Sequence, residues 1–415
     1  MDTLLLARLQ FATTTSIHFL FVIVTLGLVT LLVGLQTAWV ITGNPKYERL
    51  TRFWGQLYVI NYVLGIATGI VMEFQFGLNW SGLSRYVGNV FGAPLAIETL
   101  VAFFLESTFL GMWIFGWHRL RRGVHLALLW GVALTAYASA FWILVANAWL
   151  QNPVGHEVRD GVAHLTDFSA LLTNPTLGMA FGHVVSAALL VGGVLMAAVS
   201  AGHLIRRTTD HALHRTALRI GLVTAALSIT LVQGFGFAQF VPVGSVQPTK
   251  FGGGDEAQAM IAEWTARFGP GDYTPPVLAS AGLGFMIMIG FTLGALWLLV
   301  PLLWRDWIIR LRFPLWLLLL ALPLPFVAAI LGWIAREVGR QPWVAYGLLP
   351  VDQAVSPVGA PAMLTSLLGF SLLLGTLAVT NWVLIARHAA RGAQDPALGR
   401  PPGQPLDLRT EPTFA

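Results

Sequence analysis

The chain predicts an all-α, polytopic membrane fold of about nine spanning helices, and three observations carry that reading. Hydrophobic residues fill 56% of its 415 positions and charged residues only 10%, where a soluble domain carries about 25% charged residues. Nine apolar runs reach or exceed the roughly 20 residues a helix needs to cross a bilayer. The basic residues, finally, collect in alternate connections, as they do in multi-span proteins.

The predicted spans are 15–42, 54–78, 93–117, 124–150, 178–204, 216–240, 278–304, 314–336 and 364–388, with ends placed to within about 4 residues. The first is a full span with no small-residue cleavage site after it, so it is expected to insert uncleaved. The connections after spans one, three, five and seven, with the C-terminal tail, hold 17 of the 24 Lys and Arg residues. That asymmetry predicts an outer N-terminus and a cytoplasmic C-terminus. After the sixth span comes the longest internal loop, 241–277, which would then lie outside. It carries Lys250, Asp255, Glu256, Glu263 and Asp272 and ends on Pro275-Pro276, and a loop of this length is more often functional than ornamental. The Pro-, Gly- and Arg-rich tail after the last span is expected to be disordered. The organisation is therefore one transmembrane domain, 1–388, and a polar cytoplasmic tail, 389–415.

Composition also excludes chemistry. The chain has no cysteine, which removes disulfides, iron–sulfur clusters, thiolate ligation and haem attached through cysteine. The net charge of +5 is accounted for by loop arginines, so no nucleic-acid partner is expected. No internal repeat of the kind transporters show is present.

Few ionisable groups remain inside the spans, and such groups are usually functional. Glu337 closes an apolar helix between Arg336 and Arg340, one turn after Trp333. His18 and His183 are the two histidines within apolar stretches. A single buried histidine often just bonds a backbone carbonyl, but two near one face suggest ligation, since neutral imidazole is a common ligand of haem iron. Met286, with Met288 as competitor, could pair with His183 as a His/Met set suited to electron transfer. Glu73, Glu98 and Glu106 are the acids within spans. Glu98 and Glu106 are eight apart, about 12 Å along a regular helix and not quite on one face. Two stations of a proton route suit that spacing better than a catalytic dyad, and Ser139 on the next helix could bridge them. His18, Glu98, His183, Met286 and Glu337 all fall in the outer halves of their helices, with Glu106 and Ser139 deeper. The pattern is a cofactor cluster near the outer face with a polar path leading inward.

Several runs carry a resemblance. They include Arg8-Leu9-Gln10-Phe11 with His18, Gly69-Ile70-Val71-Met72-Glu73-Phe74-Gln75-Phe76-Gly77, and Phe91-Gly92-Ala93-Pro94-Leu95-Ala96-Ile97-Glu98. Phe103-Phe104-Leu105-Glu106-Ser107, Trp142 to Asn147, Gln151-Asn152-Pro153 and Gly339-Arg340-Gln341-Pro342-Trp343 follow in the same order. Across nearly its whole length the chain resembles subunit I of the cytochrome bd-type quinol oxidases. That resemblance implies a second multi-helix subunit, small accessory subunits in some members, and a site in the bacterial cytoplasmic membrane. It also implies a low-spin haem b, a high-spin haem b, and a haem d or third haem b. His183 and Met286 would ligate the low-spin haem, and His18 and Glu337 the high-spin irons, with Glu98 close by. Glu106 and Ser139 match the family's proton path, while Trp333 and Arg340 match residues beside the high-spin haems. The implied reaction oxidises quinol and reduces dioxygen to water, with charge separation and no pump.

The quinol end departs from the family pattern. Lys250 matches a quinol-site lysine, but Phe251-Gly252-Gly253-Gly254-Asp255-Glu256 replaces the usual run to a glutamate. Asp255 or Glu256 would have to stand in. Gly236-Phe237-Ala238-Gln239-Phe240 lacks the usual acidic cluster, and Gly284 occupies the place of an arginine. A bd-like oxidase with another electron donor therefore stays open. So does a proton-coupled transporter that uses the intramembrane acids.

Overall fold

The computed structural model describes residues 2–208, 210–251, 254–393 and 398–400. The described helices, in order, are α1 (Thr3–Thr42), α2 (Pro45–Leu78), α3 (Ser81–Phe115), α4 (Arg122–Gln151), α5 (Leu177–Arg206) and α6 (His211–Val246). An outer-loop helix, α7 (Asp255–Phe268), precedes α8 (Val277–Leu299), α9 (Phe313–Val338) and α10 (Ala360–Arg391). All but α7 are long and apolar enough to cross a membrane, so the predicted nine spans are present among the described residues.

The first three helices start earlier than expected, at 3, 45 and 81 instead of 15, 54 and 93. Their extra turns hold polar residues such as Gln10, Glu48 and Arg85, which an apolar window discards. Local caps extend them nonetheless. The Asp2 carboxylate accepts the Leu4 N–H at 3.0 Å, and Asn44 accepts the Lys46 N–H at 3.0 Å with Pro45 opening α2. Between α1 and α2, Gly43 takes φ +66°, the left-handed cap that glycine adopts at least cost.

Lipid tails give no hydrophobic drive between helices, so close packing at small residues and buried polar bonds must supply it. Gly27 of α1 meets the α5 backbone: a methyl on Gly192 would lie 2.8 Å from the Gly27 carbonyl carbon. Gly221 of α6 meets α5 in the same way, where a methyl would sit 2.6 Å from the Ala197 nitrogen. Buried Asn61 joins three helices, donating to the Phe21 carbonyl at 2.9 Å while its oxygen accepts from Asn381 at 3.1 Å.

The 241–277 segment is not an open loop. After α6 a short 3₁₀ turn (Pro248–Phe251) leads to α7, whose Trp264 packs on Trp343 and Tyr346. Those residues belong to a hairpin of β3 (Trp343–Ala345) and β4 (Leu349–Pro350), while β1 (His156–Arg159) and β2 (Val162–Leu165) form a second hairpin at the same end. The Tyr346 N–H donates to the Leu150 carbonyl at 3.0 Å, which ties the hairpin to the end of α4. At the opposite end, the expected disordered tail lies mostly outside the described residues. Its described part packs: Leu398 is buried, and the Gly399 carbonyl accepts from Arg52 at 2.7 Å.

Replacing Gly192 with Leu should lower the thermal midpoint of the detergent-solubilised protein, because overpacking a tight contact costs about 1–3 kcal/mol or more. Gly34→Leu, where no atom lies within 4 Å, should leave it unchanged. Equal losses in the two variants would remove the small-residue account of the α1–α5 contact.

Candidate active site

Two histidines are prepared in the same way. The Thr68 hydroxyl gives its proton to the Gly65 carbonyl at 2.7 Å, so at 2.9 Å it accepts from His18 Nδ1. His183 Nδ1 donates to the Val232 carbonyl at 2.9 Å. Each ring thus carries its proton on Nδ1 and presents Nε2 as the lone-pair nitrogen, the arrangement expected of a ligating histidine. Each also lies against a glycine. A methyl on Gly69 would come within 3.3 Å of His18 Cε1, and one on Gly236 within 3.1 Å of His183 Cε1.

His183 lines a cavity of about 580 Å³ between α5, α6, α8 and α9. Met286 lines the same cavity, whereas Met288 is 56% exposed and not part of its wall. Gly332 gives the methionine room: a methyl there would meet its sulfur at 2.5 Å. Trp333, Arg336 and Lys250 also stand in the wall. Trp333 stacks on Phe19, next to His18, with ring centroids 5.3 Å apart.

Glu337 is the hub of the polar network. Its Oε1 accepts from Asn147 at 2.8 Å and Gln151 at 3.3 Å, and its Oε2 accepts from Arg340 at 2.6 Å. The Arg340 pair is buried. Burial pulls the Arg340 guanidinium below its usual value, and the Glu337 charge opposes that shift. Arg336 donates to Asn147 Oδ1 at 2.6 Å. Arg336 Nη2, Arg340 Nε and Nη1, and Trp333 Nε1 are buried without a hydrogen-bond partner. Buried cationic N–H groups left over in this way call for an anionic acceptor.

Lys250 crosses to the same helix end. Its Nζ donates to the Arg336 carbonyl at 3.1 Å, a favourable place for a cation because helix C-termini carry partial negative charge. Burial first, then Arg336, pull its ammonium down to about 7, with Arg340 adding to them and Glu337 pulling the other way. Asp255 and Glu256 are not brought here. They are exposed in the first turn of α7 and absent from the cavity wall, because α7 turns Ala257 and Ile261 inward instead.

The acids behave differently from one another. Ser139 donates to Glu98 at 2.5 Å, so the serine sits at the level of Glu98 and does not span to Glu106. Glu106 is 5% exposed, with Oε1 unpartnered, and Tyr62 and Ser107 bond each other at 3.2 Å beside it. Glu73 is exposed on the surface of this chain beside Phe74. Residues Glu98–Phe103 form a π-turn four residues after Pro94. One π-turn inserts one residue into the α-helical count, so Glu98 and Glu106 relate as residues seven apart. Seven residues leave them about 20° apart around the axis, whereas eight leave about 80°. The expectation that they miss a common face is thereby corrected.

The sequence reading passed over Thr68, Asn147, Gln151 and Gln247. Asn147 and Gln151 stand in runs that carry the family resemblance, and that was their one available signal. Their partners lie more than 180 residues away in the chain.

Comparison with known proteins finds relatives along nearly the whole chain. The family model described as "Cytochrome bd terminal oxidase subunit I" matches residues 6–267 and 255–393. The chain is 36% identical to the cytochrome bd ubiquinol oxidase subunit 1 of Bacillus subtilis, over 95% of each protein. It is 45% identical to the cytochrome bd-II ubiquinol oxidase subunit 1 of Escherichia coli, over 66% of this chain and 52% of that one. The bd oxidase of Geobacillus thermodenitrificans superimposes with a TM-score of 0.84 at 25% identity, covering 94% of this chain and 99% of that one. With the family model and a full-length relative in agreement, the chain belongs to the cytochrome bd terminal oxidase subunit I family.

Proposed function

We propose that this chain is the haem-bearing catalytic subunit of a terminal oxidase that oxidises quinol and reduces dioxygen to water. The observation that carries the reading is one cavity wall holding His183, Met286, Trp333, Arg336 and Lys250 together. The residues suit haem. Imidazole Nε2 atoms are free for iron, the cavity is largely apolar, and the unpartnered guanidinium atoms of Arg336 and Arg340 match the charge of propionates. In this reading His183 and Met286 hold a low-spin haem b. His18 and Glu337 hold the high-spin irons, a haem b and a haem d or third haem b. Bound haem supplies one-electron carriers and the centre at which dioxygen is reduced.

The chain's own groups do the rest. Lys250 presents an N–H donor to the quinol headgroup from the cavity wall. Trp333 and Arg340 pack and charge the high-spin region. Glu106 and Glu98 on one face of α3, with Ser139 of α4 bonded to Glu98, pass protons from the cytoplasmic side towards the haem region. Quinol protons leave on the side of 241–277 while the protons of water formation come from the other side, so charge separates without a pump. This requires the N-terminus outside and the C-terminus in the cytoplasm of the bacterial cytoplasmic membrane. A second multi-helix subunit would cover the exposed face around Glu73, Phe74, Leu100 and Phe104, and small accessory subunits would add to it.

Asp255 and Glu256 stand apart from the cavity, which favours a second reading with another electron donor. Quinol-driven oxygen uptake in proteoliposomes separates the two: uptake lost in Lys250→Ala supports quinol at this loop, no quinol-driven uptake in the unaltered protein points to the other donor, and uptake indifferent to the substitution removes Lys250 from the quinol site. A reduced-minus-oxidised visible spectrum without haem bands would return the transporter reading.

Two substitutions test single roles. Met286→Leu should convert the low-spin haem signal to high-spin, and an unaltered spectrum would move the ligand elsewhere. Glu106→Gln should slow oxygen uptake about 10²-fold or more, the usual worth of a positioned proton donor, with all haem bands kept. Loss of those bands would make Glu106 structural.

A further inference from the structure

The side-chain amide of Gln151 is shared. Its Nε2 lies 3.3 Å from Glu337 Oε1 and 3.4 Å from the Arg336 carbonyl, two long bonds from one NH₂ group. Its other end is pinned, because Gln247 donates to Gln151 Oε1 at 3.1 Å and to the Gln151 carbonyl at 2.6 Å. The pin decides which end of the amide faces Glu337. Both glutamines are buried, Gln151 to 2% and Gln247 to 0% exposure. The Arg336 carbonyl is also the acceptor of Lys250 Nζ at 3.1 Å. One carbonyl therefore receives a donor from the cavity wall and a donor from the residue that holds Glu337.

We propose that Gln151 is a positioning residue that couples occupancy of the Lys250 cavity to Glu337 through the Arg336 carbonyl they share. When an oxygen acceptor in the cavity draws Lys250 Nζ away, the Arg336 carbonyl loses its nearer donor. The long 3.4 Å bond from Gln151 is then its remaining side-chain donor, and a buried carbonyl at a helix end is costly to leave weakly paired. Gln151 Nε2 already lies within reach and moves onto it, leaving Glu337 Oε1 to Asn147 alone. A carboxylate with one donor fewer is a stronger ligand, because donated hydrogen bonds withdraw its charge. Binding at the outer cavity thus tightens the ligand at the second centre before any electron moves. The coupling rests on the reading of Glu337 as an iron ligand, and a two-position donor is the bistable element it requires.

The test uses the purified oxidase complex in its oxidised form, titrated with oxidised decylubiquinone and followed by visible absorption. In the unaltered protein, quinone should shift the high-spin bands as it saturates. Gln151→Met, of similar length and without donors, should hold the high-spin bands at their saturated position with no further shift. Quinone binding, followed by equilibrium dialysis, should persist. Lys250→Met should produce the same locked spectrum by removing the competing donor, and its intact low-spin band reports folding independently of Gln151. High-spin bands that still respond to quinone in Gln151→Met as in the unaltered protein would overturn the coupling, and so would a locked spectrum in neither variant. Failure of the underlying reading looks different: Glu337→Gln would leave the high-spin bands untouched.

Discussion

The Glu337 carboxylate is the point on which the loop end of this molecule is organised. A charge at the edge of a bilayer is tolerated only when fully bonded, and Glu337 takes its donors from Asn147, Gln151 and Arg340. Each donor is then committed in turn. Asn147 accepts from Arg336, Gln151 accepts from Gln247, and Arg340 leads into the β3–β4 hairpin. The end of α4, the end of α9 and the segment after α6 are therefore placed by one anion. Stripping its buried arginine would leave an uncompensated charge, a loss of about 3–5 kcal/mol, which explains why so much backbone converges there.

The two histidines solve a different problem, that of presenting one nitrogen of a symmetric-looking ring. In both cases a proton acceptor on the neighbouring helix takes Nδ1, and a glycine on that helix lets the ring approach. The helix contact and the tautomer are thus one feature. Glycine serves twice in this bundle, bringing α1, α5 and α6 backbones together and seating imidazoles between helices.

Much of this was legible in the sequence, and the boundary between what was and was not is physical. Apolar runs reveal spans because the bilayer sets their length, and rare ionisable groups in those runs pointed to His18, His183, Glu98, Glu106 and Glu337. Met286 over Met288 needed the direction of a side chain, which helical spacing alone does not give. Asn147, Gln151 and Gln247 were hidden because amides at helix ends are ordinary until their distant partners are known. Asp255 and Glu256 were the sequence's stand-ins for the glutamate that the family pattern sets after Lys250. A helix N-terminus then turned them outward, while the 3₁₀ turn carried Lys250 in.

The π-turn in α3 changes what kind of information that segment carries. Its effect on Glu98 and Glu106 comes from the number of residues between them, not from which residues they are. Side chains from Thr99 to Phe103 can vary while the two acids stay in line. Removing one residue would restore the plain α-helical count and keep the acids about 20° apart, whereas removing two would rotate everything beyond by about 100° and turn Glu106 from the interior towards a neighbouring helix. Length therefore matters here modulo the π-turn: a two-residue gap in this stretch would break the path more surely than a substitution among Thr99 to Phe103.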